Sequence, residues 1–390
     1  MLLDRTSPAP QTADYTDFVH TGPETLAGRY MRTFWQPLYV AADLLPGHAK
    51  PSRILGEDFT LYRGEGGTPH LVAFRCAHRG TQLSTGWVEG DCIRCFYHGW
   101  KYDASGQCTE MPAEDPSFPP KVKITSYPCE EYLGLIFGYL GEGDTPPLPR
   151  YPDFEGTGVV DATAYTRECN YFNNVDNNVD PVHTLITHRD SDFSNSGLAG
   201  VPAISGEESA WGVTQYGTRE DGEVRVTQHG MPTILHLKYH SGDPIIGWLD
   251  LLTWRVPIDD AAHWCFNVTQ AAIAGEAVAY YRARQAAARA RLASLPDANA
   301  VAAAVLRGEI SVHDLPPRPD LIAIQDHVAQ CGQGVIADRA TERLGRSDVL
   351  VILLRQIWER EMRALAEGRP LKQWTRPAAL LPTVGTNAAG

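Results

Sequence analysis

Long apolar runs are missing from this 390-residue chain. The longest, Leu133 to Phe137 and Val349 to Leu354, fall far short of the ~20 residues that a membrane-spanning helix needs, so no span is expected. Positive charge is also scarce. Lys and Arg number 34 against 47 Asp and Glu, a net of −13. Phosphate contact needs clustered cations, so a general nucleic-acid or anionic-membrane binder is excluded. Cysteine is sparse at eight residues, which excludes a disulfide scaffold. The first sixteen residues have no basic start followed by an apolar stretch, and the expectation is a cytoplasmic protein without a secretory signal. What is present suffices for a packed core: 43% of residues are apolar and 21% charged. At ~100–200 residues per domain, two or three domains are expected.

The local pattern changes along the chain. Pro23 to Thr33 reads as a helix with Thr21 as a candidate cap. From Trp35 to Leu140 the texture is short strands broken by Gly and Pro, among them Phe59–Tyr62, His70–Phe74 and Leu133–Leu140. Gly143 to Pro149 forms a natural boundary. A helical stretch follows at Tyr171 to Thr187. Strands are then predicted at Trp211–Tyr216, Val224–His229, Ile234–Tyr239, Leu249–Val256 and His263–Val268. Helices are predicted at Glu276–Leu295, Ala298–Arg307 and Val349–Leu365.

Three of the cysteines fall close together, between two histidines. Cys76-Ala77-His78-Arg79-Gly80 recurs in type at Cys95-Phe96-Tyr97-His98-Gly99-Trp100. A zinc finger usually pairs Cys with Cys and His with His across its loop. Here each loop offers one thiolate and one imidazole, which suits a two-iron, two-sulfide cluster with unlike irons. Gly80 and Gly99 let two tight loops approach the cluster, and Tyr97 and Trp100 can shield it. Cys92 lies off the pattern and reads as a packed thiol. The plain alternative is a zinc site of unusual spacing. The pattern resembles a Rieske domain, and the resemblance assigns Cys76 and Cys95 to one iron and His78 and His98 to the other.

A second set lies in Asn177-Asn178-Val179-Asp180-Pro181-Val182-His183-Thr184-Leu185-Ile186-Thr187-His188. His183 and His188 stand about 140° apart on an ideal helix of ~3.6 residues per turn, so they meet one ion only if the helix distorts or ends between them. Pro181 is one source of irregularity. A Rieske domain followed by D-x-x-H-x-x-x-x-H resembles the oxygenase component of Rieske non-haem iron oxygenases. The likeness extends to Arg32-Thr33-Phe34-Trp35-Gln36-Pro37 and Val256-Pro257-Ile258-Asp259-Asp260, and spans nearly the whole chain. It implies an α+β protein in three parts. Residues 1–34 are a helical segment packed on the catalytic domain, 35–149 an all-β Rieske domain, and 150–390 a helix-grip catalytic domain of antiparallel sheet plus helices.

The resemblance also implies one [2Fe-2S] cluster and one mononuclear iron(II) per chain. His183 and His188 are the implied ligands, with a later carboxylate completing a facial triad that leaves positions open for oxygen. Spacing alone does not select the carboxylate. Asp326, in Ile324-Gln325-Asp326-His327-Val328, stands where members of the family place it. Asp338 is the alternative, although Arg339, Glu342 and Arg343 beside it suggest a salt-bridge network. Asp180 is implied to bridge His183 and His98 of a neighbouring subunit, in a head-to-tail homotrimer. Locally it reads as an N-cap with Pro181 at the first helical position, and both roles are compatible. Asn177, one turn earlier, is a candidate neighbour of the iron.

No Gly-rich dinucleotide fingerprint is present. Gly64-Glu65-Gly66-Gly67 opens no helix and reads as a turn. NAD(P)H is therefore expected to act through a separate flavin/iron–sulfur reductase or a ferredoxin donor. Within the family the chain looks most like the phthalate dioxygenase and vanillate O-demethylase branch, on Pro257–Asp260 and Gly334–Arg339. That likeness implies O2-dependent hydroxylation of a small aromatic acid, as O-demethylation or as ring hydroxylation. Lys238, His240 and Arg255 are candidate cations for the substrate carboxylate, and Ser191–Gly200 a candidate pocket lid. The competing classes are an electron-transfer iron–sulfur protein without turnover, and a zinc-stabilised interaction protein.

Overall fold

A computed structural model describes residues 14–189, 201–218, 222, 224–377 and 384–385. The segment suggested as a lid, Ser191–Gly200, lies outside the described residues.

Helix α1 (Leu26–Arg32) starts later than the periodicity predicts. Thr25 is its cap, with its hydroxyl accepting from the Gly28 amide at 3.1 Å. Thr21 instead donates its amide to Asp260 at 2.9 Å, which seams the N-terminal segment to the later sheet. Eleven short strands follow: β1 (Trp35–Val40), β2 (Ala49–Ile54), β3 (Glu57–Arg63), β4 (Pro69–Ala73), β5 (Trp87–Glu89), β6 (Cys92–Arg94), β7 (Lys101–Tyr102), β8 (Cys108–Glu110), β9 (Ser126–Tyr127), β10 (Cys129–Tyr132) and β11 (Leu135–Tyr139). They form three small antiparallel sheets, ordered β1-β11-β10, β2-β3-β4-β9 and β5-β6-β7-β8. The β5–β8 region holds a small core of its own, around Ile93, Trp100, Tyr102 and Met111.

The rest of the chain is built on one antiparallel sheet, ordered β12-β18-β17-β16-β15-β14-β13. Its strands are β12 (Val159–Arg167), β13 (Ala203–Glu208), β14 (Gly212–Thr218), β15 (Val224–Gly230), β16 (Ile234–His240), β17 (Trp248–Pro257) and β18 (His263–Ala271). A short strand, β19 (Val384–Gly385), adds to β15. Strands β12 and β13 were not anticipated: β12 alternates only with small residues over Val160–Ala164, and β13 has no alternation of apolar and polar residues. The long predicted helix at Tyr171–Thr187 is two helices, α2 (Tyr171–Asn178) and α3 (Pro181–Ile186), because Pro181 cannot donate a helical hydrogen bond and starts a new helix instead. Then come α4 (Glu276–Ala293), α5 (Ala298–Leu306), α6 (Leu321–Cys331) and α7 (Val349–Ala366). Among the described residues, no helix is long and apolar enough to cross a membrane.

The two halves share a core. Phe18 stacks on Phe172 with ring centroids 4.9 Å apart. Trp358 of α7 meets Tyr30 of α1 at 5.1 Å and Phe172 of α2 at 5.4 Å. Burying aromatic surface of this kind contributes on the order of 2–3 kcal/mol per side chain. The sheet's Pro257–Ile258 edge also accepts two amides from the turn after β2, Leu55 at 2.7 Å and Gly56 at 3.0 Å. The mixed architecture of small β-sheets followed by a large antiparallel sheet with helices is the α+β organisation expected.

Candidate metal centres

The first group sits on two loops with the same backbone pattern. Gly80 donates its amide to Cys76 O at 2.9 Å, and Gly99 to Cys95 O at 3.1 Å. Both glycines are left-handed, at φ +74° and +73°, a conformation costly for residues with a Cβ. One arginine braces each loop from outside: Arg75 donates to Gly80 O and Arg94 to Gly99 O, both at 2.9 Å. Arg94 is itself fixed by Glu89 at 2.7 Å and Glu110 at 2.8 Å. The loops bring the buried Cys76 and Cys95 thiols into contact. They also hold the His78 and His98 rings 4.5 Å apart. Trp100 stacks on His78 at 4.5 Å, and the Tyr102 hydroxyl reaches Cys76 Sγ at 3.2 Å. His78 Nδ1 is buried without a hydrogen-bond partner. A buried ring nitrogen left orphaned beside two thiols calls for a ligand. Cys92 lies in β6 opposite Glu89 and outside this group.

The second group meets where α3 faces α6. Helix α3 ends at Ile186, and Thr187 donates to His183 O at 2.7 Å. His188 is therefore off the helix, which removes the angular mismatch of a five-residue spacing. His188 Nε2 lies 3.3 Å and His183 Nε2 3.9 Å from Oδ1 of Asp326 on α6. One ligand atom from each of the three falls within 4.8 Å of the others. The tautomers follow from the other ring nitrogens. His183 Nδ1–H donates to the Asp180 carbonyl, and His188 Nδ1–H donates to Gln325 Oε1 at 3.0 Å. Both Nε2 atoms and a carboxylate oxygen then converge in a buried space, where a cation bound between them, or a proton on His188, relieves the repulsion.

The charges agree. Burial alone would protonate Asp326, but the His188 contact, Arg167 and His183 outweigh it and hold its pKa down at about 2. Burial also lowers His183, whereas for His188 the carboxylate overcomes burial and raises it. A two-His, one-carboxylate donor set fits a mononuclear iron(II).

Asp180 caps α3, accepting the Val182 amide at 2.9 Å, and its side chain stays 31% exposed. Asn177 lines the same cavity as His183 and Asp326. Asp338 is elsewhere: it caps a short turn through the Ala340 amide at 3.2 Å. Its neighbour Arg339 pairs with Asp176 at 2.9 Å.

The cavity holds about 420 Å³ between α3, α6 and the inner face of the large sheet. Leu235, Leu237, Leu251 and Tyr239 give it apolar walls, with Gln215, Arg225, Thr253 and Arg255 as polar groups. Arg255 donates to the Thr253 hydroxyl, yet its Nε is buried without a partner, and so is Gln215 Oε1. Lys238 and His240 alternate with Leu237 and Tyr239 and so face the other side of the sheet. Lys238 pairs there with Asp250 at 3.3 Å. The suggestion that Lys238 or His240 clamps a substrate in this cavity is corrected by strand parity.

The Rieske [2Fe-2S] domain family matches residues 34–128. The chain is 30% identical to the 5,5'-dehydrodivanillate O-demethylase oxygenase subunit of a Sphingobium sp., over 94% of this chain and 85% of that protein. This chain belongs to the Rieske non-haem iron oxygenases. Like that relative, it is an oxygenase component, with a Rieske cluster and a mononuclear iron as its cofactors. It is also 30% identical to the phenoxybenzoate dioxygenase alpha subunit of Ectopseudomonas oleovorans, over 88% of this chain and 83% of that one. The terminal oxygenase of carbazole 1,9a-dioxygenase from Novosphingobium sp. KA1 has the same fold, with TM-score 0.65 at 20% identity over 88% of this chain and 94% of its own. A further structural neighbour is a reduced complex between the oxygenase and ferredoxin of carbazole 1,9a-dioxygenase, with TM-score 0.63 at 20% identity over 91% and 95% of the two chains. An oxygenase component works with a separate electron donor.

Several residues of this oxygenase that shape its centres carry no sequence signal. Gln325 orients His188 from the position before Asp326. Arg167, fully buried at the end of β12, donates to Gln330 Oε1 and to Ala323 O at 3.4 Å, and so anchors α6 to the sheet. Neither has a recognisable motif, since their partners are distant in the chain.

Proposed function

We propose that this oxygenase component hydroxylates a small aromatic acid, either at a methoxy carbon, which amounts to O-demethylation, or on the ring. One observation carries the reading. A single cavity has the His183–His188–Asp326 group on its helical wall and the buried, incompletely bonded Arg255 on its sheet wall, with apolar residues between. Such a volume and lining suit a flat apolar ligand with one anionic end.

In this reading His183, His188 and Asp326 hold iron(II). Cys76 and Cys95 hold one iron of the cluster, and His78 and His98 the other. Bound iron with open positions supplies the activation of dioxygen. The chain's own residues do the rest. Arg255, with Arg225 nearby, orients the carboxylate so that the opposite end of the ring faces the histidines. Leu235, Leu237 and Leu251 exclude water from the ring. Asp180 fixes the His183 tautomer through its carbonyl, and its partly exposed carboxylate is available to His98 of a neighbouring copy. The aromatic tip around the cluster, Trp87, Phe96 and Tyr97, is 51–60% exposed. That exposure supports a head-to-tail homotrimer in which the tip packs beside Asp180 of the next chain. Electrons come from a reductase or ferredoxin fed by NAD(P)H. The relatives named as a 5,5'-dehydrodivanillate O-demethylase and a phenoxybenzoate dioxygenase support the same substrate class.

The test is a reductase-coupled screen of methoxylated and carboxylated aromatics, reading formaldehyde release and oxygen use. Formaldehyde from a methoxybenzoate establishes O-demethylation. Oxygen use that follows only substrates without a carboxylate overturns the assignment.

A further inference from the structure

The cavity beside the His183–His188–Asp326 group carries more polar chemistry than those ligands and a single carboxylate clamp would use. Among the described residues, four side-chain N or O atoms on its wall are buried without a hydrogen-bond partner: Asp326 Oδ1, Arg255 Nε, Asn178 Nδ2 and Gln215 Oε1. Their demands differ. Asp326 Oδ1 faces His183 and His188. Arg255 Nε and Asn178 Nδ2 carry N–H donors, which any carboxylate, ether or carbonyl oxygen satisfies. Gln215 Oε1 is an acceptor, and an oxygen without a hydrogen does nothing for it. It needs an O–H or N–H, and once a ligand has displaced the water the ligand must bring that group.

Gln215 is well placed to read it. The residue lies in β14 and is 8% exposed. Directly opposite, on β15, stands Thr227, which lines the same cavity. Cross-strand neighbours on one face reach a common ligand. Together they offer a carboxamide oxygen that accepts and a hydroxyl that donates, which is the pair a hydroxyl group needs to use both its hydrogen and a lone pair. Gln215 and Arg255 are well separated. Strands β15 and β16 lie between β14 and β17. At ~4.8 Å per strand this puts about 14 Å of sheet between the two backbones.

We propose that Gln215, with Thr227, binds a hydroxyl at the end of the substrate remote from its carboxylate. The ligand O–H donates to Gln215 Oε1, and the Thr227 hydroxyl donates to the ligand oxygen. This rests on the aromatic-acid reading of the cavity and narrows it to acids that keep a free phenol away from the carboxyl group. An acid whose hydroxyl sits beside its carboxylate does not reach both walls. An acid that lacks the hydroxyl leaves Gln215 Oε1 unpaired, and a buried polar group left unpaired is what lets a site reject such an analogue. Gln215 is a specificity residue here and takes no part in the oxygen chemistry.

Isothermal titration calorimetry on the metal-loaded protein, without oxygen, tests this with three acids: 4-hydroxy-3-methoxybenzoate, 3-methoxybenzoate and 2-hydroxy-3-methoxybenzoate. The first is expected to bind about 5–10-fold more tightly than the other two, the effect of one neutral hydrogen bond. Gln215→Met keeps the length of the side chain and removes the acceptor. It is expected to bring the first acid to the affinity of the second. Equal binding of 4-hydroxy-3-methoxybenzoate and 3-methoxybenzoate by the wild-type protein overturns the proposal, even if the variant fails to fold. So does a 2-hydroxy acid that binds as tightly as the 4-hydroxy acid, or a preference that survives in Gln215→Met. If none of the three acids binds, the aromatic-acid reading falls and the hydroxyl subsite falls with it. Equal binding of all three leaves that reading standing and removes the subsite alone.

Discussion

The main-chain carbonyl of Asp180 takes the Nδ1–H of His183, while the Asp180 carboxylate caps the same helix at 2.9 Å from the Val182 amide. One residue thus starts the helix, sets the tautomer of a candidate ligand and leaves a carboxylate oxygen 3.8 Å from that ring. Asn is as good an N-cap as Asp, so Asp180→Asn separates the structural role from the electronic one. The expected result is normal folding and iron content with turnover lowered about 10–100-fold, the usual cost of losing an outer partner of a metal-bound His. Unchanged product formation per reductant consumed removes the bridging role.

Replacing His183 by Ala takes one nitrogen from the converging group and leaves the cluster loops untouched. The iron content is expected to fall from three per chain to the two of the [2Fe-2S] cluster, with hydroxylation abolished and the cluster's visible and paramagnetic signatures kept. Iron content by emission spectroscopy and the reduced-state spectrum check both halves. Product from the iron-depleted variant rules out the catalytic assignment.

Parts of this arrangement could be read from the sequence because their chemistry is local. Cys76, His78, Cys95 and His98 fall in two short loops whose glycines and aromatics repeat, so donor type and turn chemistry appear together. The His183–His188 spacing looked wrong for a single helix, and the reason lies in where α3 stops: Thr187 closes the helix and releases His188 from its register. Other parts depend on tertiary context. Asp326 and Asp338 look alike as isolated acids, and what separates them is that α6 turns Asp326 toward His183 and His188 while Asp338 caps a surface turn. Gln325 and Arg167 act through partners far away in sequence. Lys238 and His240 show an avoidable error. Leu235, Leu237 and Tyr239 alternate with them, and that parity already placed the two cations on the face away from the cavity.

Arg255 is the sheet-wall cation whose Nε lacks a partner. A charge-assisted bond of this kind contributes about 1.5–3 kcal/mol. Arg255→Leu is therefore expected to raise KM for a carboxylated substrate about 10–100-fold. It should leave kcat and the iron content near the starting values, and abolish discrimination against the methyl ester. Steady-state oxygen consumption with acid and ester measures this. Equal losses for both compounds would show that Arg255 shapes the cavity without binding the carboxylate.

The pH response of stability has an identifiable source in His263. The ring is fully buried, donates Nδ1–H to Cys169 O at 2.7 Å and accepts Asn174 Nδ2–H on Nε2 at 3.0 Å. Burial, with Arg167 adding to it, holds the folded-state pKa down at about 3, below the ~6.5 of an exposed imidazole. Between those values the unfolded chain binds a proton that the folded chain does not, so stability falls as pH falls from about 6.5 toward 3. From pH 7 to pH 5 this one group accounts for a loss of about 2 kcal/mol. His263→Gln is expected to be less stable at pH 7 through its lost hydrogen bonds, yet to lose about 2 kcal/mol less than the wild type on acidification. Urea denaturation of both proteins at pH 7 and pH 5 measures the difference. Parallel slopes would mean that His263 is protonated in the folded state, which its acceptance of the Asn174 N–H forbids.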